Sequence, residues 1–412
     1  MSPTAIPGNL ILQSPAANDP LLDLNTQPSL DLQFATSKTL NDRVSGQNLI
    51  TFSRSTTGTY VDSNGIIQTA AIDTPRFDHD PTTGESLGLL IEESRTNIIT
   101  SSSVFNTGGW VQDGIILTAN AGVAPDGTTT ATSLSQGTGN NRCFYFDNTG
   151  SGNKTLTIFA KSNVGSSIAI SGNLFYGTNS VGSIVLNTAN GTVSNASGCS
   201  SVALPNGWYR FIIPINVSTG FGNTNYIEIK GPASSVFIWG VQIETGSFPT
   251  SYIPTTTSAV TRAADVATIE GTNFSSWFNQ SEGTVFTDLA AKGVSSIDAA
   301  FAIGSSGDAD RWLQQYFLPS SVFYEYEQAA PPAHPYTIGS FIKSAIGRSQ
   351  GDNAVGLNGS IVQSDTYSGS YNPVFLKIGV SGDPNRIFNG HISRLAYFPT
   401  RKTDQKLIDL TT

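Results

Sequence analysis

WGVQIETGSFPTSYIPTTTSAVTRAAD, from Trp239 to Asp265, is the stretch whose reading decides the fold. Trp239, Val241 and Ile243 alternate with Gly240, Gln242 and Glu244, the period of a half-buried strand. From Thr245 to Thr250 the ladder breaks, and Pro249 and Pro254 force an extended path that neither a helix nor a central strand can follow. A closing strand followed by a Pro/Thr-rich connector marks a seam between two β domains. The short Thr/Ala linker after Pro254 predicts limited reorientation of the distal domain.

Composition supports this reading. Across 412 residues there are 41 Gly and 20 Pro but only 12% charged side chains, so the chain makes many turns and few solvated helices. An aromatic content of 10% argues against disorder. A net charge of −9 leaves no basic footprint, so nucleic acid and polyanions are poor partners. No run approaches the roughly 18 to 20 apolar residues of a membrane span, and the first residues lack the pattern of a signal peptide. The expectation is synthesis in the cytoplasm. Cys143 and Cys199 are too few for a disulfide framework, and with 3 His they do not supply a zinc site; they read as core or turn residues, or as one bridge across a sandwich.

Outward from the seam, residues 1–29 carry five prolines and no core-building pattern, which predicts an arm that orders on a partner or a disordered tail. Residues 30–95 hold short strands (Leu30–Phe34, Leu49–Phe52, Thr59–Val61, Ile66–Gln68), with Asp62-Ser63-Asn64-Gly65 as a tight turn. They predict a small β anchor region. Residues 96–256 contain about eight strands, enough for a two-sheet jelly roll. After a linker at 257–264, residues 265–412 repeat the logic as a second sandwich. Only Thr403–Leu410 reads as helix, with Thr403 as its cap. The fold class expected is all-β, with tandem sandwiches after a small N-terminal β region.

Several motifs go beyond composition. Arg95-Thr96-Asn97, Trp110, Ala124-Pro125-Asp126-Gly127, Phe159-Ala160-Lys161, Asn206-Gly207-Trp208-Tyr209-Arg210 and Trp239 through Gly246 occur in order. They are flanked by Pro75–Asp80, Gly88–Glu93, Ser251–Thr255 and Thr261–Asp265. Together, over about residues 30 to 265, they resemble the jelly-roll domain of phage head-spike and tail-fibre type virion proteins, a domain similar to carbohydrate-binding modules. Arg95, Trp110, Trp208, Trp239, Glu244 and Tyr252 are the structural residues of that pattern here. Glu282–Phe286, Leu357-Asn358-Gly359 and Phe388–Leu395 more loosely resemble a concanavalin A-like (laminin-G type) sandwich. The resemblance implies recognition without naming a ligand.

The densest ionisable patch offers Asp78, Asp80, Glu92 and Glu93 to a glycosidase reading, which needs two carboxylates about 5 to 10 Å apart. Arg76 and Arg95 lie beside them, and ion pairing at a domain entrance explains the patch more simply. In Asp78-His79-Asp80 a strand would send His79 to the face opposite the two Asp, so no metal site is expected. His334 lies in a Pro-rich loop and His391 follows an Asn-Gly turn. No G-x-S-x-G, P-loop or dinucleotide fingerprint occurs. Neither catalytic residues nor a cofactor are therefore expected.

Glycan binding needs aromatic faces beside hydrogen-bonding groups. Tyr324 and Tyr326 share one face of the Val322–Tyr326 strand, and Trp312 and Tyr316 form a second pair; these four are the candidates, against ordinary sheet packing. Trp110, Trp208 and Trp239 read as core.

The resulting expectation is a non-enzymatic fibre or spike subunit in the virion, contacting other virion proteins through its N-terminal region and host-surface glycan through lectin-like sandwiches. Multivalent engagement favours a homo-oligomer, a trimer by resemblance to such fibres. The alternatives are a decoration, collar or tail protein that binds other virion proteins only, and a polysaccharide depolymerase.

Overall fold

The computed structural model describes residues 27–146, 151–162, 167–171, 184–194, 198–217, 226–230, 235–305, 311–325, 332–366, 368–369 and 371–412. The expected N-terminal arm lies almost wholly outside them. Among the described residues the paired strands build an all-β architecture of two antiparallel sandwiches.

The middle sandwich packs two six-stranded sheets. One runs Ser200–Leu204, Trp208–Val217, Gly152–Ser162, Val236–Thr245, Ala131–Ser135, Ile116–Gly122. The other runs Val193–Ser194, Ile184–Asn187, Ser167–Ser171, Tyr226–Lys230, Arg142–Phe146, Trp110–Asp113. Alternation fills the space between them: Phe211, Ile213 and Ile215 from one strand meet Leu156, Ile158, Ile227 and Ile229. Pro214 is tolerated inside the first sheet because it lies beyond the end of the Ser200–Leu204 strand, which pairs only as far as Ile212. Cys143 is buried in this core and unbridged to Cys199; burial pushes its thiol up to about 12.

The strand that opened the sequence reading departs from simple alternation. A register shift lies between Trp239 and Gln242, where Gly240 and Val241 stand against the single residue Ile158, and Gly240 has φ +60°, a left-handed conformation that suits glycine. The extra residue reverses the faces. Val236 and Ile238 before it, and Val241 and Ile243 after it, all point into the sandwich core. Trp239 points the other way, into a separate cluster with Phe159, Trp208 and Tyr252. Gln242 and Glu244, the expected solvent face, are fully buried because the chain folds back over its own strand. Glu244 accepts from Thr250 N and Oγ1, both at 2.7 Å, and Gln242 Oε1 accepts from Ile253 N at 2.7 Å.

The terminal sandwich corrects the expected boundaries. Residues 30–95 do not form a separate anchor region. Leu30–Leu32 and Ser86–Ile91 both pair with Asn389–Phe398, and Thr51–Ser53 pairs with Val266–Glu270, so the segment supplies strands to both sheets of the terminal sandwich. The physical reason lies in its apolar runs. Leu89, Leu90 and Ile91 are all fully buried, and a strand apolar on both faces needs cover on both. Leu30, Leu32 and Phe34 join the same core as Val285, Ile346 and Leu376. The expected linker at 257–264 is not a tether either: Val260–Arg262 pairs with Arg95–Asn97. The helix is Asp404–Thr411, with the Thr403 side chain accepting from Lys406 N, and Leu407 and Leu410 packed on Phe286, Ala345 and Phe398. Two four-residue helices, Phe34–Ser37 and Thr272–Ser275, were not legible in the sequence.

The hairpin Gly58–Val61/Ile67–Ala70 bridges the sandwiches. Its turn is the expected Asp62–Gly65, closed by Gly65 N donating to Asp62 O at 2.9 Å. Ile67 joins the Trp208–Trp239–Tyr252 cluster, and Thr59 Oγ1 donates to Tyr252 O.

Candidate functional site

Of the four aromatic glycan candidates, the structure removes three. Trp312 is 2% exposed and Tyr316 and Tyr324 are 0% exposed, so none offers a ring face to a ligand. Trp312 is packed edge-on to Phe278 at 5.1 Å and lies under Arg348 at 5.2 Å. Tyr326 lies outside the described residues. The sheet face that carries Tyr324 is covered by the opposing sheet, which alternation within one strand does not reveal.

The ionisable patch becomes the seam itself. Arg76 donates to Glu92 Oε2 at 2.8 Å and to Asp265 Oδ2 at 2.5 Å, Arg54 pairs with Asp265 Oδ1 at 3.0 Å, and Arg262 pairs with Glu92 Oε2 at 3.0 Å. Ser251 N and Oγ both donate to Glu92, each at 2.7 Å. These five charged side chains come from four separate segments and are at most 2% exposed. Burial alone would push the Glu92 carboxyl up; the guanidiniums of Arg262 and Arg76 outweigh it and hold the group well below the usual carboxylate range. Arg95 pairs with Glu93 and lies over the Phe248 ring at 4.8 Å. Gly246, at φ +126°, makes that possible, since a Cβ there would overlap the Arg95 guanidinium.

Asp78 and Asp80 separate. Asp80 Oδ1 accepts from Thr82 N and Thr83 N, each at 2.8 Å, in an exposed turn. Asp78 is buried, accepting from Val61 N at 2.6 Å and from His391 Nε2 at 2.7 Å. His391 is therefore not a turn residue; it is paired with Leu90 in the sheet. Burial depresses its imidazole more than Asp78 raises it, which favours the neutral ring. His334 also lies in a strand, the short His334–Pro335, and is buried. Trp110, Trp208 and Trp239 are buried, their indole N–H groups donating to Ser101 O, Val123 O and Thr130 Oγ1. The Tyr252 hydroxyl is hydrogen-bonded to Ser102 Oγ at 2.6 Å.

An aromatic surface lies elsewhere, on the outer face of the second sheet of the middle sandwich. In Arg142–Phe146, Cys143 and Tyr145 point into the core, leaving Arg142, Phe144 and Phe146 outside. The paired strand Tyr226–Lys230 places Tyr226 opposite Phe146 and Glu228 opposite Phe144. Phe144, Phe146 and Tyr226 form a triangle with ring centroids 5.3, 6.0 and 6.1 Å apart. Phe146 is 43% exposed, and Val111, which pairs with Phe144 from the edge strand, is 42% exposed. Beside the rings runs a polar row: Arg142 pairs with Asp113 at 3.1 Å and with Glu228 at 2.7 Å, and Lys230 approaches Glu228 at 3.5 Å. Sequence reasoning missed this platform. The available signal was the apolar alternation of RCFYF, whose second aromatic register has no core to enter.

No family model and no curated protein matches the chain. Among solved structures, the sialidase of Trypanosoma rangeli bound to the inhibitor DANA aligns at 10% identity and a TM-score of 0.31, covering 35% of this chain and 25% of that one. The CBM40 of Ruminococcus gnavus IT-sialidase bound to α2,3-sialyllactose aligns at 12% identity and a TM-score of 0.30, covering 34% of this chain and 88% of that one. The chain thus spans a quarter of the sialidase it matches. The assignment as an all-β protein of tandem sandwiches rests on the strand pairing described above.

Proposed function

We propose that the chain is a non-enzymatic fibre or spike subunit of a phage virion that attaches to host-surface glycans through the outer sheet face of its middle sandwich. The observation that carries this reading is the platform of Phe144, Phe146 and Tyr226 beside the Asp113–Arg142–Glu228–Lys230 row. Apolar ring faces suit the C–H faces of sugars, and the fixed charges suit their hydroxyls. The phage assignment rests on the motifs from Arg95 to Gly246. A non-enzymatic role is supported by the engagement of Glu92 and Glu93 with arginines, which leaves neither as the acid of a carboxylate pair. In this reading the N-terminal region holds the subunit to other virion proteins, and a homotrimer multiplies weak glycan contacts into avidity. Immunogold labelling of purified particles with antibody to the middle sandwich tests it: label at the tips of fibres or spikes is expected. Label confined to the capsid shell would instead favour a decoration protein.

A further inference from the structure

The outer face of the larger sheet in the terminal sandwich is only partly covered. Helix Asp404–Thr411 lies on Phe286, Ala345, Ala396 and Phe398. Its 8 residues make a rod of only ~12 Å, so the face runs on beyond it. Two residues along the same strands the side chains turn polar: Phe286 gives way to Asp288 and Ala345 to Lys343. An open groove of about 760 Å³ lies there, within the ~300–1,000 Å³ of ordinary ligand clefts. It crosses four adjacent strands, from Lys343 through Asp288 and Ser393 to Leu87, a span of ~14 Å at the spacing of a sheet. Phe341, 40% exposed, lines one end, and Asp80 and Glu85 line the other.

Unlike the sealed seam, this floor is reachable, since Asp288, Lys343 and Ser393 are all half-buried. Its polar groups are held in place with capacity to spare. Lys343 Nζ gives one of its three donors to Thr412 O at 2.8 Å. Asp288 accepts from the Ser393 hydroxyl, and a carboxylate takes several such bonds. Asn358 Oδ1 accepts from Lys343 N at 3.0 Å, which leaves its amide N–H groups to donate. No cation is in surplus. Lys343, Arg394 and Arg43 stand against Asp288, Asp31, Asp80 and Glu85, with Asp31 held by Arg394 and Arg43 at 2.8 Å each. An acidic ligand therefore meets no unopposed positive charge. A sheet face also spends its N–H and C=O groups in the ladder, so an extended peptide finds no main-chain partner and only side chains read the ligand.

We infer that this groove is a second glycan site and binds an uncharged oligosaccharide. The sugar hydroxyls donate to Asp288 and accept from Lys343 and Asn358, and the C–H faces lie against Phe341 and Leu87. The site stands without the platform of the middle sandwich; where both act, one long polysaccharide engages them together, and losing either lowers its avidity.

The test is calorimetric titration of the full chain carrying Phe146→Ala/Tyr226→Ala, which removes the platform. The probes are four neutral trisaccharides (cellotriose, maltotriose, mannotriose and triacetylchitotriose), trigalacturonate and a Ser/Thr tetrapeptide. At least one neutral trisaccharide is expected to bind saturably, with trigalacturonate and the peptide at least about tenfold weaker. Adding Asp288→Asn, or separately the surface change Phe341→Ala, is expected to weaken that sugar by about tenfold. No saturable binding of any neutral trisaccharide, an unchanged affinity in either groove variant, or trigalacturonate or peptide binding as tight as the best neutral sugar would each overturn the assignment.

Discussion

The seam between the sandwiches and the outer face of the middle sandwich invert the usual placement of chemistry. At the seam five charged side chains are sealed from water; on the outer face two phenylalanines and a tyrosine are left toward it. Both follow from what lies opposite. Glu92 and Asp265 are buried because each meets two guanidiniums, and Phe144 and Phe146 are outside because Cys143 and Tyr145 already fill the core side of their strand. Charge at the seam therefore serves architecture, and apolar surface on the outer face is available for recognition.

The comparison is broken most directly at Glu92. Glu92→Gln leaves Arg76 and Arg262 short of a buried counter-charge, and a loss of about 3–5 kcal/mol is expected in urea denaturation. Because the two sandwiches share the seam, unfolding is expected as one transition in the native chain; two separated transitions would show that the seam does not couple them. Gly240→Val comes next. The substitution demands φ +60° of a β-branched residue and sets a Cβ 2.8 Å from Phe159, which should cost about 1–3 kcal/mol by the same measurement.

Acid sharpens the account through opposite signs. The Glu92 carboxyl is depressed in the fold, so its contribution is complete above its unfolded value of about 4.3 and is lost as pH falls toward the folded one. His391 works in the same direction: its folded imidazole is depressed, so stability falls as pH drops below about 6.5. Asp298 opposes both. Burial pushes its carboxyl up to about 6, partly relieved by Ser295 N and Asn389 and reinforced by Glu93, so its contribution is lost as pH rises through that value. Asp298→Asn is thus expected to match the native chain near pH 4 and to exceed it above pH 7 by about 2 kcal/mol, read from melting curves across pH. The smallest stability effect belongs to the outer face, where Phe146→Ala should cost under about 1 kcal/mol because the ring is already half in water.

Much of the architecture was legible in the sequence. The Asp62–Gly65 turn, the alternation through Tyr209–Ile213 and the cap at Thr403 are local signals, and each fixes an element. The connectivity was not, because it depends on partners far away in the chain. Leu89 pairs with Ile392, and nothing in Gly88–Glu93 alone says that this strand completes a sheet at the other end of the protein. Residues 30–95 therefore read as a separate unit. The Gly240 bulge was hidden for a related reason: a single extra residue reverses every later side chain without changing the pattern of residue types. Trp312, Tyr316 and Tyr324 failed as candidates on burial. Tyr324 and Phe144 occupy equivalent-looking strands, and only the presence or absence of a facing layer separates a core ring from an exposed one.

The central claim is that recognition belongs to the outer face and architecture to the seam. The decisive measurement is the affinity of the purified full chain for host-surface polysaccharide, compared with the Phe146→Ala/Tyr226→Ala double variant. Binding weakened by tenfold or more, with the melting temperature lowered by no more than about a few degrees, is the predicted result; unchanged affinity in the double variant would contradict it.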